Sequence, residues 1–122
     1  MYEVTVKQHF SGAHFLRGYK GKCENIHGHN WQVEVTLGGE NLDENDLLFD
    51  FVVMKAGLNE ILERLDHKLL NELPEFMEQN PSSEIIAKLV YDKMRDIIKA
   101  KTIKILKVRV GESEDSWAVY YP

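Results

Sequence analysis

Residues 23–38 read Cys23-Glu24-Asn25-Ile26-His27-Gly28-His29-Asn30-Trp31-Gln32-Val33-Glu34-Val35-Thr36-Leu37-Gly38, and the later part of this run alternates strictly. Trp31, Val33, Val35 and Leu37 share one parity, while Asn30, Gln32, Glu34 and Thr36 share the other. That is the pattern of a strand with one buried face. In an extended chain, side chains two residues apart point the same way. His27 and His29 therefore continue the apolar face that begins at Trp31. Their backbone positions lie about 6.6 Å apart at roughly 3.3 Å per residue, so both imidazoles can lean onto one ion. Gly28 between them adds no side chain to crowd the site. A metal bound there would sit at the end of the core face, where water is scarce.

A third imidazole comes from upstream. Residues 2–11 also alternate: Tyr2, Val4, Val6 and Phe10 share a parity that Gln8 interrupts. Small residues follow, Ser11-Gly12-Ala13, and then His14. His14 with His27 and His29 makes a His₃ set, and zinc held by three protein ligands keeps its fourth position for water or substrate. Cys23, the single cysteine, can instead complete a closed Cys-His₃ cage, although no second cysteine supports a structural site. Residues 15–26 form a long glycine- and lysine-rich loop around Cys23, and loops of that length are usually functional or disordered. Arg17, Lys20 and Lys22 in it are either a solvated cluster or an anion-binding lip. His9 lies on the strand face opposite Val4 and Val6 and reads as non-functional.

Downstream, Gly38-Gly39 ends the second strand and residues 41–46 form a polar turn. Leu47–Phe51 leads into a helix with Asp50 as its N-cap. Val53 or Met54, then Leu58, Ile61, Leu62 and Leu65, follow helical spacing. Leu65-Asp66-His67-Lys68-Leu69-Leu70-Asn71 lies at the end of this helix, and residues 71–80 read as a connecting loop. A second helix starts near Pro81-Ser82-Ser83-Glu84, with proline and an early acid suiting its first turn. Ile86, Leu89, Val90, Met94 and Ile97 form its stripe. Residues 103–112 read as a third strand, with Leu106, Val108 and Val110 on one parity and Glu112 continuing it. Residues 113–116 turn, and residues 117–121 return as the last strand of a hairpin. The order is β-β-α-α-β-β. The expected architecture is α+β: one domain over residues 1–122, a four-stranded antiparallel sheet with both helices on one face.

Bulk properties exclude several classes. At 122 residues the chain makes one domain that buries about two-thirds of its unfolded surface. Its net charge of -5 argues against general nucleic-acid binding, which wants a basic face, yet leaves room for an anionic small molecule. No apolar run approaches the ~20 residues needed to span a membrane. The start, Met1-Tyr2-Glu3-Val4-Thr5-Val6, reads as a strand rather than a signal peptide. One cysteine permits no internal disulfide, so the expected compartment is the cytoplasm.

Several short motifs occur in order along nearly the whole chain. They are Phe10-Ser11-Gly12-Ala13-His14, Cys23-x-x-x-His27-Gly28-His29, Asp50-Phe51 before a helix, Leu65-Asp66-His67-Lys68 with Leu70-Asn71, Asn80-Pro81-Ser82-Ser83-Glu84, and Gly111-Glu112 before the last hairpin. In this register the chain resembles the 6-pyruvoyl-tetrahydropterin synthase superfamily. The three-residue gap between Cys23 and His27 is similar to that of the bacterial 6-carboxy-tetrahydropterin synthases of the queuosine pathway. The resemblance implies the tunnelling fold, in which subunits pool their sheets into a barrel and assemble as a homohexamer, a dimer of trimers. It implies zinc on His14, His27 and His29. It assigns proton transfer to Cys23, Asp66 and His67, the pterin anchor to Glu112, and a place near the pterin pocket to Ser82, Ser83 and Glu84. The implied substrate is 7,8-dihydroneopterin triphosphate, and the implied products are 6-carboxy-5,6,7,8-tetrahydropterin, acetaldehyde and triphosphate.

These roles suit the residue types. A cysteine thiol becomes a base when nearby positive charge removes its proton. Histidine exchanges protons near neutral pH, and an adjacent carboxylate can orient it. Sequence neighbours often point apart, so contact between Asp66 and His67 requires a helix end or a bent backbone. A glutamate can accept two hydrogen bonds from a guanidine-like pterin edge. Two alternatives remain beside this reading. One is a sister lyase that eliminates triphosphate to give 6-pyruvoyl-tetrahydropterin. The other is a zinc- or pterin-binding protein without catalysis, which would need none of Cys23, Asp66 and His67.

Overall fold

The computed structural model describes residues 1–19, 21 and 25–122. Strand β1 (Tyr2–His14) and strand β2 (His27–Gly39) form a long antiparallel pair. Helix α1 (Phe51–Glu63), the short strand β3 (Lys68–Leu69) and helix α2 (Ser83–Ile97) follow, then strands β4 (Lys104–Ser113) and β5 (Ser116–Tyr120). The sheet order is β3-β1-β2-β4-β5.

The alternation read from residues 29–38 is the buried face of the central strand. Trp31, Val33, Val35 and Leu37 are fully buried. Cross-strand pairing puts Val6 opposite Val35 and Phe10 opposite Trp31, so β1 and β2 present their apolar residues to the same side. Met54, Leu58 and Leu62 of α1 and Ile86, Val90 and Met94 of α2 pack onto that side in one cluster. Both helices therefore cover one face of the sheet, as expected. Asp50 caps α1 by accepting from the Val52 amide at 2.8 Å, and Ser82 caps α2 by accepting from the Ile85 amide at 3.2 Å.

Three expectations need correction. The sheet has five strands of mixed orientation, not four antiparallel ones, because Lys68 and Leu69 pair in parallel with Gly12 and Ala13. His67 makes this possible: its φ of 57° is left-handed, which turns the chain out of the α1 terminus and lays the next two residues along β1. A two-residue strand has no room to display a period, so no alternation announces it. The stretch 71–80 is also more regular than a loop, since one-turn 3-10 helices occupy Leu70–Glu72 and Pro74–Phe76. In β4, Ile105 rather than Leu106 enters the core beside Val108 and Val110. A shift of register between Thr36 and Leu37 in the β2–β4 pairing switches the facing at that point.

Candidate metal centre and active site

The β1–β2 register builds the histidine cluster. His14 is paired directly with His27, and Gly12 with His29, so all three imidazoles emerge on the core face at one end of the sheet. Gly12 presents no side chain opposite His29. Trp31, the next residue inward on that face, forms the floor: its ring lies edge-on to His14 at 4.9 Å and to His29 at 5.1 Å between centroids. Its indole N–H is satisfied by the Gly12 carbonyl at 3.1 Å.

The imidazole centroids lie 4.5 Å (His14–His27), 5.2 Å (His14–His29) and 4.9 Å (His27–His29) apart. One donor nitrogen from each falls within 4.8 Å of the others. Hydrogen bonding fixes which nitrogens are free. His14 Nδ1 meets the Pro81 carbonyl at 2.7 Å and His27 Nδ1 meets the Asn25 carbonyl at 2.7 Å. A carbonyl oxygen only accepts, so both Nδ1 atoms carry hydrogen and the lone pair of each neutral ring resides on Nε2. His14 Nε2 and His29 Nε2 are buried and make no hydrogen bond among the described residues. Buried polar atoms are ordinarily satisfied, and a carbonyl holding the opposite ring nitrogen is the usual arrangement around a metal-bound histidine. Donors about 2.0–2.1 Å from a tetrahedral zinc need only a modest contraction of this cluster. The residues therefore fit a metal ion.

Burial holds the His14 imidazole below the usual histidine pKa. Positive charge on His27 or His29 lowers it further, while the Pro81 carbonyl and Glu112 pull it up. Burial likewise lowers His29, against the pull of Glu112. Both rings thus favour the neutral form that a metal requires. Glu112 continues the core parity of Val108 and Val110 and brings its half-exposed carboxylate 3.9 Å from His14 Nε2 and 3.8 Å from His29 Nε2.

Asp66 and His67 meet despite being sequence neighbours, because the left-handed backbone at His67 turns its side chain back. The two side chains are 2.9 Å apart, Oδ2 to Nδ1. The other Asp66 oxygen accepts from the Ser11 amide at 2.9 Å, and the His67 amide donates to the Ser11 carbonyl at 2.6 Å. The Ser11 amide first, and the His67 ring second, hold the Asp66 carboxyl below the ordinary aspartate range. His67 is 81% exposed. With Lys68 it lines an open depression of about 470 Å³ that also takes in Ser11, Gly28 and His29, so His67 shares an opening with His29 of the histidine cluster.

The remaining candidates divide. Cys23, Lys20 and Lys22 lie outside the described residues. Arg17 is no anion-binding lip: its guanidinium donates to the carbonyls of Phe76, Gln79 and Asn71. Ser82 spends its hydroxyl on the helix cap, Ser83 is buried beside it and Glu84 is exposed. They adjoin the centre through Pro81, whose carbonyl touches His14. That carbonyl, and the nearness of Glu112 to two imidazoles, are features no residue pattern displayed, because backbone acceptors and cross-strand neighbours leave no mark in composition or spacing.

Comparison with known proteins agrees with this architecture. The chain is 37% identical over 115 residues to a putative 6-carboxy-5,6,7,8-tetrahydropterin synthase of Archaeoglobus fulgidus, covering 94% of this chain and 91% of that protein. It is 32% identical over 128 residues to the 6-carboxy-5,6,7,8-tetrahydropterin synthase of Bacillus subtilis, covering 99% and 86%. The solved structure of Caenorhabditis elegans 6-pyruvoyl tetrahydropterin synthase superposes with a TM-score of 0.83 at 27% identity, covering 100% of this chain and 97% of that one. The family model described as 6-pyruvoyl tetrahydropterin synthase matches residues 3–122, and the chain belongs to that family.

Proposed function

We propose that this protein is a zinc-dependent carbon–carbon lyase that converts 7,8-dihydroneopterin triphosphate to 6-carboxy-5,6,7,8-tetrahydropterin, acetaldehyde and triphosphate, as in queuosine-type 7-deazapurine biosynthesis. The observation that carries this reading is the convergence of three imidazoles, those of His14 and His29 with buried donor nitrogens that have no partner among the described residues, beside a preformed carboxylate–imidazole pair. The names of the Archaeoglobus and Bacillus relatives support the choice of product.

His14, His27 and His29 hold the zinc, which when bound supplies a Lewis acid for the side-chain oxygens of the substrate. Asp66 fixes the His67 ring and balances its charge when protonated, so His67 carries the proton at its outer nitrogen. Cys23 is the second proton-transfer group. Glu112 receives the amino and ring N–H groups of the pterin, with Ser82, Ser83 and Glu84 bordering that pocket. β1 is paired on its outer side only at Gly12 and Ala13, and β5 pairs only with β4 among the described residues. Such open edges suit a homohexamer that pools its sheets into a barrel. Among the described residues no helix is long and apolar enough to cross a membrane; the cytoplasm is the compartment this reading assigns to the enzyme.

The second reading is the sister reaction, elimination of triphosphate to a 6-pyruvoyl product, favoured by the likeness to the Caenorhabditis structure. Mass spectrometry of the products formed by zinc-loaded protein from 7,8-dihydroneopterin triphosphate separates them. Acetaldehyde with the 6-carboxy pterin is the expected result. A 6-pyruvoyl product without acetaldehyde moves the protein to the sister reaction, and no turnover with zinc bound leaves a binding protein.

A further inference from the structure

We infer that Asn71 and Asn80, working with Arg17, are positioning residues that set the orientation of the His14 imidazole. The inference rests on the proposed metal role of His14.

β1 loses its partner at His14, the last residue paired with β2, and among the described residues the chain beyond has no strand beside it. Two side-chain amides take that place. Asn71 Oδ1 accepts from the Phe15 amide at 2.9 Å, and its Nδ2 donates to the Phe15 carbonyl at 2.9 Å. Asn80 does the same one rung further on, accepting from the Arg17 amide at 2.8 Å and donating to the Arg17 carbonyl at 3.1 Å. Phe15 and Arg17 are two residues apart, so their peptide groups face the same way in an extended chain, and the two asparagines act as rungs of an absent strand. An amide carries a donor and an acceptor side by side; a carboxylate has only acceptors and an alkyl chain has neither.

The arrangement closes on itself. The Arg17 guanidinium reaches back to the carbonyls of Asn71 at 3.1 Å, Phe76 at 2.7 Å and Gln79 at 3.3 Å. Residues 71–80 are thereby fastened to residues 15–17, and Pro81, next after Asn80, presents its carbonyl to His14 Nδ1. His14 is held from both sides: its ring by Pro81 and its backbone by the clamp on Phe15. Asn71 is itself buried, at 5% exposure, so neither of its bonds is readily replaced by water.

The test uses full-length protein, metal-free and then titrated with zinc or cobalt(II). Asn71→Asp keeps the acceptor for the Phe15 amide and loses the donor. The expected result is a drop of about tenfold in zinc affinity, of the order seen for changes behind a metal ligand, with an altered cobalt d–d spectrum. Asn80→Ala, at a more open site that tolerates truncation, moves both readouts the same way by less. Gln79→Ala is the control, since Gln79 offers only its backbone carbonyl, and it changes neither. Wild-type affinity and an unaltered cobalt spectrum in both asparagine variants, whatever happens to their melting temperatures, would overturn this inference alone. Wild-type protein that binds neither ion would overturn the metal reading and this inference with it.

Discussion

The histidine trio and the Asp66–His67 pair reach one opening through His29 and His67, yet their polar atoms are treated in opposite ways. In the trio, His14 Nε2 and His29 Nε2 are removed from water and have no hydrogen bond among the described residues. Leaving a buried polar atom unmade costs about 1–3 kcal/mol, a cost that a bound ligand offsets. In the pair, both Asp66 oxygens have partners and the ring of His67 stands in solvent. The first arrangement keeps lone pairs free for an electrophile. The second commits its carboxylate to hydrogen bonds and leaves the outer nitrogen of the exposed ring open to water, where it can trade protons. Two clusters of similar composition are thus suited to different work by burial and hydrogen bonding alone.

The largest effect should come from breaking the first cluster. His14→Ala is expected to abolish stoichiometric zinc, weakening binding by more than the roughly 10–100-fold that follows loss of a group behind a ligand. Metal analysis and chelator competition report it, and full zinc in that variant would remove His14 from the set. Asp66→Asn should act on the other cluster only. An amide still accepts from the Ser11 amide but offers N–H to His67 Nδ1 where the carboxylate accepted. Turnover is expected to fall by about 10²–10⁴, the usual weight of a positioned proton carrier, with zinc content unchanged. Loss of metal in Asp66→Asn would erase the contrast between the clusters.

Acid should separate them next. Burial lowers the pKa of His14 and His29 below the free-histidine value of 6.5. Above that value both folded and unfolded rings are neutral and stability is flat. Below it the unfolded chain takes up protons that the folded rings resist, so metal-free protein loses stability as pH falls. Asp66 behaves in a lower window. Its pKa is depressed from 3.8, so its contribution is present above that value and disappears as pH falls through the lower folded value. Melting temperature of metal-free protein against pH should show the histidine decline first, and His29→Gln should flatten part of it. A wild-type profile without slope between about pH 7 and 5 would mean that the folded rings protonate as easily as free ones.

Much of this was legible in the residues because it was local. Parity alone placed His27 and His29 on the face of Trp31, and helical spacing marked Met54, Leu58 and Leu62. What parity could not carry was any relation between distant backbone groups. The parallel pairing of Lys68 and Leu69 depends on one left-handed residue, His67, and left-handed backbone at a non-glycine is uncommon. Asn71 and Asn80 stood inside recognisable motifs, but their partners are the peptide groups of Phe15 and Arg17, far away in sequence. Arg17 looked equally suited to an anion because a guanidinium serves carbonyls and phosphates alike. The bulge that put Ile105 in place of Leu106 is a property of two strands together, and neither strand shows it by itself.

The smallest prediction isolates how the second cluster is held. Ser11 touches Asp66 and His67 only through its own backbone, its amide donating to Asp66 Oδ1 and its carbonyl accepting from the His67 amide. Its hydroxyl points elsewhere and donates to Asn30 Oδ1 at 2.7 Å on an exposed surface. Ser11→Ala therefore removes a solvent-facing bond and leaves the support of the pair untouched. Stability should stay within about 0.5 kcal/mol, as for surface changes away from special features, and turnover should be that of the wild type. A drop in turnover approaching that of Asp66→Asn would show that the hydroxyl, rather than the strand backbone, orients the pair. The same null result in stability with unchanged turnover would assign the placement of His67 to the β1 main chain, which no side-chain substitution at position 11 can supply or remove.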